Sequence, residues 1–422
     1  MHQRQTGESV GIIGLGYVGL PLAVAFAEAG HEVVALDVDG SKIAAIAASR
    51  SYIEDISSER LAAVRERLHP TTRYADLAQV DAVIIAVPTP LTANREPDLQ
   101  PLVSAGAALA NVLQEGQLVV LESTTYPGTT RERLAPLLEE SGLRAGETFN
   151  LAFSPERIDP GRTDYTITTT PKVVGGLTPV CLERATALYR RICDEVVPVS
   201  TPEVAELTKL LENIFRAVNI ALVNEIAMVC DRMGIDVWEV VAAAATKPYG
   251  FMSFKPGPGL GGHCLPIDPF YLAWKAREFD SQTEFIELAG EVNAAMPHFC
   301  VEKITGALND CSKPVRDARV AILGVSYKAG VGDVRESPAI KIMRLLAERG
   351  AQLSYHDPYV AEVPAFGLAS QSLDEVLAGA DVVAIVTVHP ELDIDRVLSE
   401  APIIVDFRGV TSGRTAKHVV RL

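Results

Sequence analysis

The chain has 422 residues, 48% of them hydrophobic and 22% charged, with a formal charge of −16 at pH 7. This is the composition of an ordinary globular protein of two or three domains. The negative balance argues against nucleic acid or an anionic membrane as a partner, and any anionic ligand needs cations gathered around it. Met1–Ser9 carry no apolar core of the secretory kind, and no run of about 18 apolar residues reads as a membrane span. Six cysteines, at 181, 193, 230, 264, 300 and 311, show no CxxC pairing and read as reduced thiols in a cytoplasmic protein.

The first predicted strand, near Val10–Ile13, leads into Gly14-Leu15-Gly16-Tyr17-Val18-Gly19 and then into helix-like sequence. A strand, the GxGxxG spacing and a helix in that order make a dinucleotide-binding fingerprint. The first glycine makes the tight turn, the second lets the pyrophosphate approach, and the third packs helix on strand. His31–Asp37 reads as the second strand. A carboxylate at its end can bind a ribose 2′-hydroxyl and repels a 2′-phosphate, so the cofactor expected is NAD, with Lys42 placed beside it. The competing reading is a glycine turn in some other α/β protein.

A helix near Ser41–Ala48 follows, then a strand at Asp81–Val87 and the Pro88-Thr89-Pro90 loop. A helix near Leu102–Leu113, a strand at Gln117–Glu122, the Ser123-Thr124 loop and a strand running into Ser154-Pro155-Glu156 continue the alternation. Such a pattern predicts a doubly wound parallel sheet, in which ligands bind at the carboxyl ends of strands. Thr89, Thr124 and Glu156 are therefore expected to converge on the cofactor.

Thr201-Pro202-Glu203 reads as a helix start, and no proline or glycine interrupts the chain from Glu203 to Gly234. The predicted helix is about 45 Å long, enough to connect domains and leave a face for a partner subunit. Lys209 and Asn213 share one face of it. They read either as an oxyanion-stabilising pair or as a polar helix face. A second helix is expected from Asp236 to about Pro248. Pro256–Asp268, with four glycines and two prolines before its cysteine, is a loop suited to close approach, and it presents Cys264 four residues before Asp268. A thiol so placed, in a chain that binds NAD, suggests oxidation through a thioester. His263 and Cys264 have no further ligands at metal spacing, so no metal is expected.

Helical sequence is expected from about Phe270 to Leu308, and then the first pattern recurs. Arg319–Gly324, Gln352–Asp357, Ala380–Thr387 and Ile403–Asp406 read as strands of a second Rossmann-like domain. Its turn, Gly324-Val-Ser-Tyr-Lys328, lacks the second and third glycines. Lys328 and Arg335 suggest that this turn accepts some other phosphate, or are solvated surface cations. The fold class expected is α/β, two Rossmann-like doubly wound domains (1–200 and 311–422) joined by a central helical domain (201–310) with a long helix.

Gly14–Gly19, Ser123-Thr-Thr, Ser154-Pro-Glu156, Lys209-x-x-x-Asn213, Asn224-Glu225, Gly261-Gly-His-Cys264, Asp268 and Arg335-Glu-Ser-Pro338 together resemble the UDP-glucose/GDP-mannose dehydrogenase family, over nearly the whole chain. The resemblance implies an N-terminal NAD domain, a central dimerisation domain and a C-terminal domain that holds the nucleotide of a UDP-sugar. It implies a homodimer or higher oligomer, and oxidation of the sugar C6 alcohol to a carboxylate in two NAD-dependent steps. Cys264 adds to the intermediate aldehyde, giving a thiohemiacetal and then a thioester that water hydrolyses. Lys209 and Asn213 hold the developing oxyanion and Lys209 takes the first proton, while Asp268, Thr124 and Glu156 manage the water. Arg157, Arg216, Gly261, Lys328, Arg335 and Arg408, the last in an Asp406-x-Arg408 pattern, join Glu156, Lys209 and Asn213 in holding the substrate.

UDP-glucose and GDP-mannose enzymes typically carry Phe-Leu-Arg-Glu after Ser-Pro-Glu, and a lysine just before the aspartate of the cysteine loop. Here Arg157-Ile-Asp-Pro-Gly161 and Ile267 stand instead. Both departures, with Pro171–Gly176 and Lys247–Met252, resemble the branch acting on UDP-N-acetylhexosamines, most of all UDP-N-acetylglucosamine, in surface-polysaccharide synthesis. UDP-N-acetylmannosamine and UDP-glucose are the alternatives. Rival readings are a single-step NAD hydroxyacid dehydrogenase, which needs no cysteine, and a non-catalytic binder of NAD or UDP-sugar.

Overall fold

The computed structural model describes residues 8–53, 55–92, 96–158, 164–262, 265–414 and 418–422. The chain divides into two compact units, Met1–Glu212 with Phe270–Ser281 and Asn213–Pro269 with Gln282–Leu422.

The first unit is built on an eight-stranded sheet: β1 (Val10–Ile13), β2 (Val33–Leu36), β3 (Leu68–Thr71), β4 (Ala82–Ile85), β5 (Leu118–Leu121), β6 (Asn150–Phe153), β7 (Lys172–Gly176) and β8 (Val196–Val199). Their order is β3-β2-β1-β4-β5-β6-β7-β8, so the winding reverses between β1 and β4. β1 to β6 are mutually parallel, whereas β7 pairs antiparallel with β6 and parallel with β8. The wholly parallel sheet expected from the alternation is corrected at that pair. β1, β4 and β5 are buried along their whole length, as strands covered by helices on both faces must be. The two edges, β3 and β8, each hold a proline, Pro70 and Pro198, which offers no N–H to a further strand.

The second unit carries a five-stranded parallel sheet in the order Gln352–His356, Arg319–Leu323, Val382–Ile385, Ile404–Asp406, Val419–Arg421. The two Rossmann-like sheets and the central helices bear out the expected fold class. The long helix spans Pro202–Met233, 32 residues. Thr201 Oγ1 accepts from Val204 N at 3.4 Å, as its capping role predicts. Asp236 caps the next helix, Val237–Ala244, by accepting from Trp238 N and Glu239 N. The helical stretch expected from 270 to 308 is two helices, Asp268–Ala276 and Glu284–Asp310, broken where Asp280 adopts a left-handed conformation (φ 51°).

By length and composition alone the long helix is apolar enough to cross a membrane, a property the search for an unbroken apolar run did not reveal. Its polar positions show protein contacts. Asn224 Nδ2 donates to Asn293 Oδ1 at 2.9 Å, Asn293 Nδ2 donates to Ala217 O at 3.1 Å, and both amides are buried. Near its start, Glu206 accepts from Gly128 N (2.6 Å), Thr130 N (2.9 Å) and Thr130 Oγ1 (2.7 Å). Those N–H groups open the helical turns Thr130–Leu134 and Ala135–Glu139, so the long helix caps its neighbour.

Burial pushes the Glu206 carboxyl up from 4.5 to about 7, against the pull of those three donors. The folded value lies above the unfolded one. Glu206 therefore stabilises the fold fully below pH 4.5, and this contribution is lost as pH rises through about 7. The shift corresponds to about 3 kcal/mol. Urea unfolding of the wild type and Glu206→Gln at a series of pH values should show their stability difference changing by about that amount between pH 5 and pH 8. Parallel curves would contradict it.

Candidate active site

In the first unit the loops after β1, β4, β5 and β6 leave the same edge of the sheet. Gly14 has φ 92°, and a Cβ there would sit 2.5 Å from Ala86 O. A Cβ on Gly19 would come within 1.8 Å of Gly14 O, so the helix Gly19–Glu28 packs on the turn only because that residue is glycine. A Cβ on Gly16 meets nothing within 4 Å. The protein itself thus requires two of the three glycines, and the third faces open space, as a pyrophosphate-binding turn requires. Asp37 Oδ2 accepts from Leu15 N at 2.8 Å and from Lys42 Nζ at 3.0 Å, so the carboxylate holds the turn and Lys42 pairs with it as placed. Tyr17 and Val18 are half-buried at the start of the helix. These residues fit the adenosine and diphosphate part of NAD.

The next two loops are tied together. Thr89 Oγ1 donates to Thr124 O at 2.7 Å, Ser123 Oγ donates to Val87 O at 2.7 Å, and Tyr271 Oη donates to Thr89 O. Beyond β6, Glu156 Oε1 accepts from Arg157 N (2.8 Å) and Ile158 N (2.7 Å), while Oε2 accepts from Lys172 Nζ (3.2 Å). Lys172 Nζ also donates to Glu122 Oε2 at 3.1 Å, and Glu122 takes the Tyr189 hydroxyl on its other oxygen. Burial acts to raise both carboxyls. For Glu156 the Lys172 ammonium, the Ile158 N–H and Lys209 outweigh it and hold the group below the usual range; for Glu122 burial wins and the group is raised. Burial would lower the Lys172 ammonium, yet the two carboxylates raise it instead. Arg157 is fixed by Glu212 (2.7 Å) and by Pro171 O (2.6 Å). Lys209 is buried.

In the second unit Asn213 Nδ2 donates to Asp268 Oδ2 at 2.5 Å, linking the long helix to the end of the cysteine loop. Gly257 N donates to Asn224 Oδ1 at 2.9 Å, which anchors the start of that loop. Gly261 and Gly262 lie against Tyr327, where a Cβ on either would come within 2.8 Å of its side chain, and Gly262 N donates to Arg335 O. His263 and Cys264 lie outside the described residues. Asp406 accepts from Arg408 N, Gly409 N and Thr411 N, an ordered turn that sets the Arg408 guanidinium beside Gly257. Arg335 lies on Asp333, with Nη2 to Oδ2 at 2.6 Å, and Lys328 is half-buried in the turn after the Arg319–Leu323 strand. Arg216 is on the exposed side of the long helix.

The expected residues thus form two sets. One, in the first unit, contains Gly14–Gly19, Asp37, Lys42, Thr89, Thr124, Glu156, Arg157 and Lys209. The other, in the second unit, contains Asn213, Arg216, Gly261, Asp268, Lys328, Arg335 and Arg408. The sequence reading missed Glu122, Lys172 and Tyr189, which surround Glu156. A lysine opening the apolar run Lys172–Gly176 was the available signal. It also missed the part played by Asp357, which accepts from Val325 N (2.8 Å) and Ser326 N (3.0 Å) as Asp37 does from Leu15, with His389 Nε2 at 3.0 Å.

Three family models match in order: the NAD binding domain (residues 8–193), the central domain (203–295) and the UDP binding domain (321–413) of the UDP-glucose/GDP-mannose dehydrogenase family. The chain is 39% identical over 354 residues to a UDP-N-acetyl-D-glucosamine 6-dehydrogenase of Pseudomonas aeruginosa, covering 83% of each chain. It is 35% identical to a UDP-N-acetyl-D-mannosamine dehydrogenase of Pyrococcus horikoshii, covering 96% of this chain and 99% of that one. A solved structure of UDP-D-ManNAc dehydrogenase from Pyrococcus horikoshii superposes with a TM-score of 0.90 at 34% identity, over 98% of both chains.

The contrast between Gly16 and Gly19 is testable. Gly16→Ala should keep the wild-type melting temperature and weaken NAD binding by about tenfold or more, because the methyl enters only ligand space. Gly19→Ala should lower the melting temperature as well, since its methyl overlaps backbone. Calorimetric titration with NAD and thermal unfolding of both variants decide it. Unaltered NAD affinity in Gly16→Ala would contradict the assignment.

Proposed function

Because the chain belongs to the UDP-glucose/GDP-mannose dehydrogenase family, we propose that it oxidises the C6 alcohol of UDP-N-acetylglucosamine to the carboxylate in two NAD-dependent steps, in the cytoplasm, for surface-polysaccharide synthesis. Residues 1–200 hold NAD, 201–310 form the central helical domain, and 311–422 hold the UDP group. The observation that carries the reading is the Asn213–Asp268 hydrogen bond, which ties an amide suited to an oxyanion to the carboxylate four residues past Cys264. The relative with 39% identity, with Pro171–Gly176 and Lys247–Met252, favours the glucosamine epimer, and the Arg157-Ile158 continuation after Glu156 favours the N-acetylhexosamine branch. The coverage of the 35% relative makes UDP-N-acetylmannosamine the second reading.

NAD supplies the acceptor for each of the two hydrides. Lys209 takes the alcohol proton in the first step. Cys264 thiolate then adds to the aldehyde carbon, and Lys209 with Asn213 donates to the resulting alkoxide. One such donor is worth about 3–4 kcal/mol in a transition state. Loss of the second hydride leaves a thioester on Cys264. Water held by Asp268, Thr124 and Glu156 attacks it, releasing the sugar carboxylate and the thiol. Lys328, Arg335 and Arg408 meet the charge of the UDP group, Arg157 and Arg216 also bind the substrate, and Gly261 allows close approach.

The oligomer follows from the long helix. Leu211, Phe215, Leu222, Ile226, Val229 and Met233 recur at steps of three, four or seven residues and are 39–65% exposed. An apolar stripe of this length on one helix fits a second copy of the same stripe, and we assign it to a homodimer contact.

NADH formed per limiting sugar is the direct test. UDP-N-acetylglucosamine should give two, and Cys264→Ser should stop at the aldehyde with one at most. Two NADH from UDP-N-acetylmannosamine instead would move the substrate to the second reading, and full turnover by Cys264→Ser would end the thioester mechanism. Sedimentation velocity should show Leu222→Asp moving the protein from dimer to monomer; an unchanged sedimentation coefficient would remove the stripe from the interface.

A further inference from the structure

The Glu122–Lys172–Glu156 cluster has no place in the mechanism beyond Glu156 itself, and its geometry is specific. Lys172 enters the sheet at the start of β7, where the strand direction reverses, so its ammonium arrives at the edge where β5 and β6 end. There it lies 3.1 Å from Glu122 and 3.2 Å from Glu156. Glu122 and Lys172 side chains are 0% and 5% exposed, whereas Glu156 is 13% exposed. One carboxylate is sealed in and the other reaches the surface of its unit.

Counting lone pairs defines what Glu156 has left. An ionised carboxylate accepts about four hydrogen bonds. Among the described residues Oε1 takes the N–H groups of Arg157 and Ile158, and Oε2 takes Lys172, which leaves one acceptor position on Oε2. Both backbone donors follow Glu156 directly in the chain, so its orientation is set locally and its charge state by Lys172.

We propose that Lys172 is a positioning residue for the oxidation, holding Glu156 as an oriented anion with one acceptor position for the hydrolytic water, while Glu122 is the sealed member of the cluster that shares Lys172. This rests on the reading of Glu156 given above. Ammonium and two carboxylates in one buried cluster carry an excess negative charge, and burial opposes it. The two groups are displaced in opposite directions accordingly, Glu156 below the usual carboxylate range and Glu122 above it. The groups facing Glu156 are Lys172 and Lys209 on the positive side and Glu122 on the negative, with the Cys193 thiol also within reach of its charge. Tyr189, hydrogen-bonded to Glu122, and Cys193, whose thiol burial pushes up to about 11, complete the surroundings of Lys172.

The test is the pH profile of kcat with UDP-N-acetylglucosamine and NAD for wild type, Glu156→Gln, Lys172→Met, Lys172→Arg and Glu122→Gln. Glu156→Gln should lose about a hundredfold in kcat. Lys172→Met should move the acid limb of kcat up by about one pH unit or more, with KM little changed, because Glu156 then lacks its cation. Lys172→Arg should restore the limb, and Glu122→Gln should leave it in place or move it down, since Lys172 then serves Glu156 alone. If Lys172→Met does not fold, Lys172→Met combined with Glu122→Gln removes the buried ammonium together with the carboxyl that shares it and should show the same upward shift. An acid limb unmoved in both lysine variants, with Glu156→Gln inactive, would overturn the role of Lys172 and leave the function intact. A fully active Glu156→Gln would instead remove Glu156 from the chemistry, and the proposal with it.

Discussion

Six strands that run the same way must end at the same edge, and most of the first unit's chemistry depends on this constraint. The carboxyl ends of β1, β4, β5 and β6 release four loops side by side, so Gly14, Thr89, Thr124 and Glu156 become neighbours without being close in sequence. The winding reverses between β1 and β4, and the crevice a ligand needs opens there. Each loop is then stiffened by bonds to the next. Asp37 holds the glycine turn, Thr89 holds the Thr124 backbone, and Ser123 holds Val87. A set of loops tied together in this way is oriented before any ligand arrives.

The second unit repeats the device with a different outcome. Asp357 occupies the place of Asp37 and grips two N–H groups of the following turn, but a buried His389 stands against it where Lys42 stands in the first unit. Its turn also packs on the glycines of the cysteine loop, through Tyr327. The loop is therefore pinned at Gly257 by Asn224, at Gly262 by the Arg335 carbonyl, and at Asp268 by Asn213. Three anchors on a glycine-rich segment remove much of the freedom that glycine would otherwise bring.

What could be read from the chain depended on how local the signal was. The Gly14–Gly19 turn, Asp37 and the long uninterrupted helix were legible, because each rests on neighbours within one or two turns of chain. The edge strands β3 and β8 were not. An edge strand pairs on one side only, so it tolerates Pro70 or Pro198, and those prolines hide it from a search for apolar alternation. The direction of β7 was also unreadable, since a run such as Lys172–Gly176 has the same pattern whichever way it enters a sheet. Lys172 shows the limit most clearly. A lysine is ordinarily solvated, and its burial follows only from Glu122, 50 residues before it, and Glu156, 16 residues before it. No window along the chain contains that cluster.

The net charge of −16 poses a problem for a chain whose residues 321–413 match a UDP binding domain, and the second unit holds two of its arginines in contrasting ways. Arg335 lies on Asp333, and with the arginine side chain 51% exposed the pair is worth about 1 kcal/mol or less. Asp333 keeps the guanidinium ordered and offsets its charge in a turn that also carries Lys328. Arg408 is fixed differently, through the backbone of the turn that Asp406 organises. One cation is thus held by a neighbouring carboxylate and another by the backbone frame of its turn, two ways in which an acidic chain orders positive charge.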